Sequence, residues 1–188
     1  MILEDNQLNL FPDLTLTPAP RAEALVMSAD ALLKWKAQIL DYQQRVRETK
    51  PVQQATLFDI APKRCGPDQI DPLLLRLVPM SFHRVPADNP GDVSLYFIVD
   101  SVASLVLYVG ETCRSNKRWK GIHACKDYIA SYQDLHYRYG IQTAVNAAFW
   151  WDAPVERKPR QELELSLILK WRSPFNKENW ERWGQPFG

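Results

Sequence analysis

Two short runs of aromatic and β-branched residues near the middle of the chain constrain its fold most strongly. Residues 95–98 read Leu-Tyr-Phe-Ile and residues 107–110 read Leu-Tyr-Val-Gly, with a short connection between them. Such residues favour strands, and a short connection favours a hairpin. The pattern predicts two adjacent antiparallel strands, with Tyr96 and Tyr108 facing each other about 5 Å apart.

The rest of the folded part predicts helices and one more strand around this hairpin. Ser28 is a favourable N-cap for a helix that runs to about Thr49, whose apolar residues recur at spacings of three and four. Two further helices are expected over about 115–133 and 160–171. The predicted strands cover about 93–100, 104–110 and 144–151. The expected fold is α/β in the α+β sense, a small mixed or antiparallel three-stranded sheet flanked by helices.

Proline-rich stretches divide the chain into an arm and a folded domain. Residues 1–27 and 50–72 contain several prolines and no sustained hydrophobic period, which is typical of flexible segments. We therefore assign residues 1–72 to an N-terminal arm built around the first helix, and residues 73–188 to the folded domain. The apolar stripe of that helix favours docking on the domain over dimerisation, because two heptads are short for an autonomous coiled coil.

Cysteine usage and hydropathy favour a cytoplasmic protein without a membrane partner. The three cysteines, Cys65, Cys113 and Cys125, form neither an even set nor a C-x-x-C pair, which indicates reduced thiols. We find neither a signal peptide nor an apolar run of membrane-spanning length. A zinc site at Cys113, His123 and Cys125 is not expected, because a fourth ligand and the usual spacing are missing.

Four residues match the chemical needs of phosphodiester hydrolysis, which requires a base, cationic groups on the phosphoryl oxygens and a metal at the leaving oxygen. Tyr96 and Tyr108 are candidate bases. Arg118 follows Tyr108 by ten residues and is suited to binding phosphate bidentately. Glu164 is a candidate Mg²⁺ ligand, and Asn176 follows it by twelve residues. Taken singly, each also has a structural interpretation, as a strand residue, a surface charge or a turn former.

Together, the order and spacing of these residues resemble the GIY-YIG nuclease family. Residues 95–96 and 107–112 are similar to the two motifs that name the family. Residues 163–176 are similar to its closing helix and terminal asparagine. The resemblance covers most of the folded domain, and the interval to the asparagine selects Glu164 over Glu162 as the matched carboxylate.

The resemblance implies a role for each matched residue. One tyrosine, Tyr108 or Tyr96, activates water with the help of the other, and Arg118 binds the scissile phosphate. Glu164 binds one divalent metal, Mg²⁺ or Mn²⁺, and Asn176 helps to position phosphate or water. Because an unperturbed tyrosine has a pKa of about 10, Arg118 and the metal have to lower it.

Two positions depart from the family pattern. Ser94 stands where the first motif usually begins with glycine, a change that a strand edge tolerates. Glu111 stands where some members have a lysine against the phosphate. An acid there either weakens DNA binding or supplies a second metal contact.

The distribution of charge favours DNA as the partner of the folded domain. The formal net charge is +1, but residues 61–188 carry 17 Lys and Arg against 14 Asp and Glu. The stretch around Arg118 contains several basic residues and no acidic one, which suits a phosphate backbone, although a solvated helix face is the alternative. The predicted DNA contacts are Arg114, Lys117, Lys120, His123 and Lys126. For His123 the alternative is an ordinary surface histidine.

Two copies of one short pattern lie in the proline-rich stretches of the arm. Residues 7–11 and 54–58 share Gln-x-x-Leu-Phe. The pattern resembles the linear motif by which bacterial replication and repair proteins bind the β sliding clamp, and two copies on one arm add avidity. The implied contact residues are Gln7, Leu10, Phe11, Gln54, Leu57 and Phe58. The alternative is that both Leu-Phe pairs dock the arm on the folded domain.

The sequence as a whole predicts a metal-dependent DNA endonuclease that acts in DNA repair or replication and is tethered to the sliding clamp by its arm. One alternative is a catalytically inactive DNA-binding or clamp-adaptor module. Glu111 is the departure from the family pattern that suggests this alternative. Another is a restriction-type endonuclease, although no separate recognition insert is visible.

Overall fold

The computed structural model describes residues 27–49, 66–80, 93–112, 124–185 and 187. The strands are β1 (Leu77–Pro79), β2 (Ser94–Asp100), β3 (Leu105–Thr112) and β4 (Val145–Trp150). The helices are α1 (Ala29–Glu48), α2 (Ala124–Arg138), α3 (Arg157–Trp171) and α4 (Trp180–Trp183). Single 3₁₀ turns cover Pro67–Gln69, Pro72–Leu74 and Lys177–Asn179.

The strands form one antiparallel sheet in the order β1-β4-β2-β3, which confirms the predicted α+β class. The three predicted strands are present, and β1 adds a fourth at the edge beside β4. Sequence patterning missed β1 because it is three residues long and ends in Pro79. Proline lacks the N–H that a central strand needs, and an edge strand tolerates that loss.

Helices cover both faces of the sheet. On one face, α1 and α2 bury their apolar stripes against alternate strand residues, including Ile98 and Leu107. On the other, α3 packs over the neighbouring set, including Phe97 and Val109. Ser28 caps α1 as predicted, since its side chain accepts the N–H of Ala31 at 3.2 Å. The stripe of α1 therefore docks on the sheet, as its sequence predicts.

The hairpin of β2 and β3 has a register that differs from the expected one. Tyr96 lies opposite Gly110, and Tyr108 lies opposite Ile98. The two tyrosines project from neighbouring strands of one hairpin, as predicted, but they are diagonal neighbours on one face of the sheet and do not face each other directly. The register also shifts between Ile98 and Val99, an irregularity that residue types alone do not predict.

The outer edge of β3 is covered by groups from other elements. The side-chain amide of Gln43 in α1 donates to the C=O of Val106 at 2.9 Å and accepts its N–H at 2.8 Å. Nε2 of Gln43, which makes the bond to Val106, also donates to the C=O of Trp171 at 2.9 Å. Further along, the N–H of Phe175 donates to the C=O of Leu107 at 2.9 Å. These bonds take the place of a fifth strand and tie α1 and α3 to β3.

A buried polar cluster closes the turn end of the hairpin. The carboxylate of Asp100 accepts hydrogen bonds from Tyr132 at 2.7 Å, Thr143 at 2.9 Å and Lys36 at 3.2 Å. The Lys36 ammonium also lies 2.7 Å from Nε2 of His136. Because an ammonium only donates, Nε2 accepts, and Nδ1–H donates to the C=O of Tyr132 at 2.7 Å. His136 is therefore a neutral imidazole in the folded protein.

We expect this cluster to make stability depend on pH near neutrality. Burial lowers the pKa of His136 below its ordinary value, and the charge of Lys36 acts in the same direction. Below about pH 6.5 the unfolded chain binds more protons than the folded one, so stability is lost as the pH falls. Urea midpoints from about pH 7.5 to about pH 5.5 should fall in the wild type. His136→Gln, which keeps an acceptor for Lys36, should flatten that slope, and equal slopes would contradict the prediction.

Candidate active site

A cleft of about 290 Å³ opens at the edge of the sheet beside β3. Its walls come from β3, from α2, from α3 and from the segment that follows α3. Three of the predicted catalytic residues line it, although they are far apart in sequence. Its polar lining consists of Tyr108, Tyr128, Gln161, Glu164, Asn176, Lys177 and Glu178.

The two tyrosines of the hairpin contact each other but differ in exposure. Their ring centroids lie 5.7 Å apart, with the rings inclined at 36°. Tyr108 is half-buried and lines the cleft. Tyr96 is 7% exposed, and its ring covers the backbone of Gly110. The geometry therefore favours Tyr108 as the tyrosine that meets a bound molecule, with Tyr96 supporting it from behind.

Replacement of Gly110 by alanine is expected to destabilise the protein by about 1–3 kcal/mol, because it overpacks the site. A Cβ at this position would lie 2.5 Å from Cζ of Tyr96, so the buried ring would have to move. The free energy of unfolding in urea measures the effect. Gly66→Ala is the matched control, since its Cβ meets no described atom within 4 Å.

The proposed cause is tested by a double-mutant cycle. If the clash with the Tyr96 ring is responsible, Gly110→Ala should cost much less stability in a Tyr96→Ala background. An equal cost in both backgrounds would contradict the explanation.

Glu164 lies on the face of α3 that meets β3. One of its carboxylate oxygens accepts the N–H of Glu111 at 2.9 Å, which fixes the side chain at the wall of the cleft. The neighbouring Glu162 is solvent-exposed. The periodicity of this segment does not show which of the two carboxylates belongs to the site. The fold does, because Glu164 lines the cleft and Glu162 does not.

Asn176 has a structural role that the sequence analysis did not include. Its Oδ1 accepts the N–H of Val109 at 2.9 Å and the hydroxyl of Ser173 at 2.6 Å. Its Nδ2 donates to the C=O of Val109 at 2.9 Å. The amide thus pairs with β3 as Gln43 does lower on the strand. Asn176 is buried and fixes one wall of the cleft.

Glu111, the departure from the family pattern, forms a buried ion pair with Arg160. Its other oxygen accepts from Nε2 of Gln161 at 3.3 Å. Arg160 is held by two further bonds, to the C=O of Pro154 at 2.9 Å and of Val155 at 2.7 Å. The negative charge of Glu111 is therefore compensated inside the fold, which weakens the expectation that it repels a phosphate or binds a metal.

The donor set of the cleft suits a hard divalent cation. Glu164 and Glu178 supply carboxylate oxygens, and Mg²⁺ is often bound by one or two carboxylates with water completing the shell. Burial raises the pKa of the Cys125 thiol to about 12, so this sulfur stays protonated. No cluster of three or more His, Cys, Asp and Glu side chains is found among the residues that the structure describes.

Four polar residues of the cleft, Tyr128, Gln161, Lys177 and Glu178, were missed by sequence reasoning. Lys177 and Glu178 follow Asn176 directly in a 3₁₀ turn that brings them to the opening. Their position after the matched asparagine was the available signal, but surface charges in a turn are ordinary and did not single them out.

Several predicted residues lie outside the described residues. Among the catalytic and DNA-contacting candidates these are Arg114, Lys117, Arg118, Lys120 and His123. All six predicted clamp contacts, Gln7, Leu10, Phe11, Gln54, Leu57 and Phe58, are outside as well. Lys126 lies in the first turn of α2, next to Cys125 of the cleft.

Comparisons of the chain with protein-family models, with curated proteins and with solved structures found no match. Within the described ranges, no helix has the length and apolar character needed to cross a membrane.

Proposed function

We propose that this protein is a metal-dependent DNA endonuclease that hydrolyses phosphodiester bonds. One observation carries the proposal: Tyr108, Glu164 and Asn176, which sequence resemblance selects as a catalytic set, line a single cleft. They come from a strand, a helix and a turn, so nothing in their spacing requires them to meet. The cleft also contains Lys177, a cation suited to phosphate.

In the proposed reaction, Tyr108 takes a proton from the attacking water, and Tyr96 packs against it to hold its ring. Arg118 binds the oxygens of the scissile phosphate. Glu164, with Glu178 beside it in the lining, would hold Mg²⁺ or Mn²⁺, which when bound stabilises charge on the phosphoryl and leaving oxygens. An ordinary tyrosine hydroxyl has a pKa of about 10, so little tyrosinate is present at neutral pH. The positive charges of the cation and the guanidinium would favour the tyrosinate, which is the form that accepts a proton.

The test is cleavage of labelled duplex, nicked, flap and branched DNA in Mg²⁺, Mn²⁺ or EDTA. Cleavage is expected with either metal and not in EDTA. Tyr108→Phe should reduce the rate by about 10²–10⁴-fold, the usual contribution of a general base. Tyr128→Phe, which removes another hydroxyl at the same cleft, should have little effect.

The outcomes separate the candidate functions. DNA binding without cleavage would replace the proposal by the inactive binding module. Discrete fragments from plasmid DNA would indicate a restriction-type enzyme, whereas preference for a flap or branch would indicate repair or replication. Equal rates for the Tyr108 and Tyr128 variants would remove Tyr108 from the mechanism.

We further propose that the enzyme acts in the cytoplasm and that its arm binds the β sliding clamp through residues 7–11 and 54–58. The support is the repeated Gln-x-x-Leu-Phe pattern in the sequence. Binding of full-length protein to purified clamp should weaken when Leu10 and Phe11 are replaced by alanine. It should weaken further when Leu57 and Phe58 are also replaced, as avidity requires. Unchanged binding would favour docking of the arm on its own domain.

A further inference from the structure

Two arginine side chains share one aromatic ring on the surface beside α1. The guanidinium carbon of Arg172 lies 4.4 Å from the ring centroid of Tyr42, and that of Arg182 lies 5.3 Å from the same centroid. Arg182 also lies 5.0 Å from the ring centroid of Trp183. Cation–π attraction holds both cations at these rings. We call Arg172 and Arg182 the arginine pair.

The rings that hold the arginine pair are themselves fixed. The Tyr42 hydroxyl donates to the C=O of Lys170 at 3.2 Å, and Nε1 of Trp183 donates to the C=O of Arg172 at 2.7 Å. Nε1 of Trp35 donates to the C=O of Trp183 at 3.2 Å. The rings on which the arginines lie therefore have little freedom to lose when a ligand binds, and such preorganisation favours affinity.

The charges of the arginine pair are not compensated within the described part of the chain. No described carboxylate forms an ion pair with Arg172 or Arg182, whereas the nearby Arg45 and Lys170 each have an aspartate partner. Two like charges at one ring repel each other. An anion that contacts both would relieve that repulsion, and a planar guanidinium matches the oxygens of phosphate.

The backbone at Arg172 gives a second, independent observation. Arg172 follows the last residue of α3 with φ 45° and ψ 47°, in the left-handed region. Glycine is the usual residue at such a helix end because it adopts this conformation with less strain. A strained residue that keeps a large cationic side chain points to a function for that side chain.

We propose that the arginine pair is a binding site for one phosphate group of a nucleic-acid backbone. An open groove of about 570 Å³ is lined by Tyr42 and Arg182, so a ligand has access to the Arg182 side of the pair. Asn176 is four positions beyond Arg172, so their Cα atoms lie at most about 14 Å apart. That distance is about four base-pair steps of about 3.4 Å each. A duplex whose scissile phosphate lies in the cleft is therefore long enough to extend to the arginine pair.

The identity of the ligand as nucleic acid rests on the proposed function, whereas the phosphate site itself does not. The first experiment measures binding of a labelled DNA duplex in EDTA over a range of salt concentrations, so that cleavage plays no part. The variant is Arg172→Gly with Arg182→Gln, in which glycine also relieves the strain at position 172. The control is Lys34→Gln with Arg138→Gln, which removes the same charge from exposed positions.

We expect the variant to bind DNA about 10-fold more weakly. Its log K should also fall less steeply with log salt, with the magnitude of the slope smaller by about 1, as expected for the loss of one phosphate contact. The control should retain both values. A matching titration of the wild type with pyrophosphate, followed by NMR of the arginine side-chain N–H groups, should shift the signals of Arg172 and Arg182.

Each outcome has a defined meaning. Pyrophosphate binding with unchanged DNA affinity in the variant would overturn the nucleic-acid assignment and favour a small phosphate compound. Unchanged arginine signals together with unchanged DNA affinity would overturn the site. Loss of DNA affinity in a protein that never cleaves DNA would support the site while contradicting the proposed nuclease.

Discussion

Replacement of Glu164 by glutamine is expected to reduce the proposed metal-dependent DNA cleavage by about 100-fold or more. Glutamine retains an oxygen that accepts the N–H of Glu111, a bond of 2.9 Å in the wild type, so the wall of the cleft should keep its shape. It loses the negative charge with which the carboxylate would attract a divalent cation. A factor of 100 corresponds to about 2.7 kcal/mol, within the several kcal/mol that a catalytic metal supplies.

The measurement is the initial rate on the preferred DNA substrate over a range of Mg²⁺ and Mn²⁺ concentrations, with metal binding followed by calorimetry. Glu162→Gln is the matched control, because it removes the same charge from an exposed position two residues away on the same helix. It should cleave at close to the wild-type rate. A Glu164→Gln protein that is folded and binds metal and cleaves DNA normally would contradict the assigned role.

Replacement of Asp100 by asparagine is expected to lower the free energy of unfolding by about 3–5 kcal/mol, because it leaves a buried ammonium without its counter-charge. Asp100 is fully buried and accepts from Lys36, Tyr132 and Thr143. Burial alone would raise the pKa of its carboxyl, but the Tyr132 hydroxyl and the Lys36 charge hold that pKa below its usual value. Chemical unfolding at pH 7 gives the measurement.

Two variants test the proposed cause of this loss. Asp134→Asn breaks an exposed i,i+4 ion pair with Arg138 and should cost no more than about 1 kcal/mol. Lys36→Met combined with Asp100→Asn removes both charges and should be more stable than Asp100→Asn alone. A double variant no more stable than the single one would show that the buried ammonium is not responsible.

Local signals predict much of the architecture. The cap at Ser28, the apolar stripe of α1 and the β-rich runs of the hairpin all depend on residues close together in sequence, and the structure contains each of them. The pairing of the two tyrosines was predicted less well. Register depends on where the hairpin turns and where it bulges, and the shift between Ile98 and Val99 has no residue signature.

The buried contacts that support the candidate site could not be predicted from the sequence, because the residues that form them are far apart along the chain. Glu111 and Arg160 are 49 residues apart, and Arg160 reads as an ordinary surface charge. Only the packing of α3 against β3 makes them an ion pair. The same holds for the amide of Asn176, whose partner Val109 is 67 residues away. Contacts of this kind follow from tertiary structure, which a single sequence does not specify position by position.

The side chains along the outer edge of β3 also bear on solubility. An edge strand with unpaired N–H and C=O groups is a template for pairing with a strand of another molecule. Here the amides of Gln43 and Asn176 occupy those groups at Val106 and Val109. An alanine at either position would expose part of that template. Asn176, which fixes one wall of the candidate cleft, thus also limits growth of the sheet into an aggregate, and Gln43 does the same further along the strand.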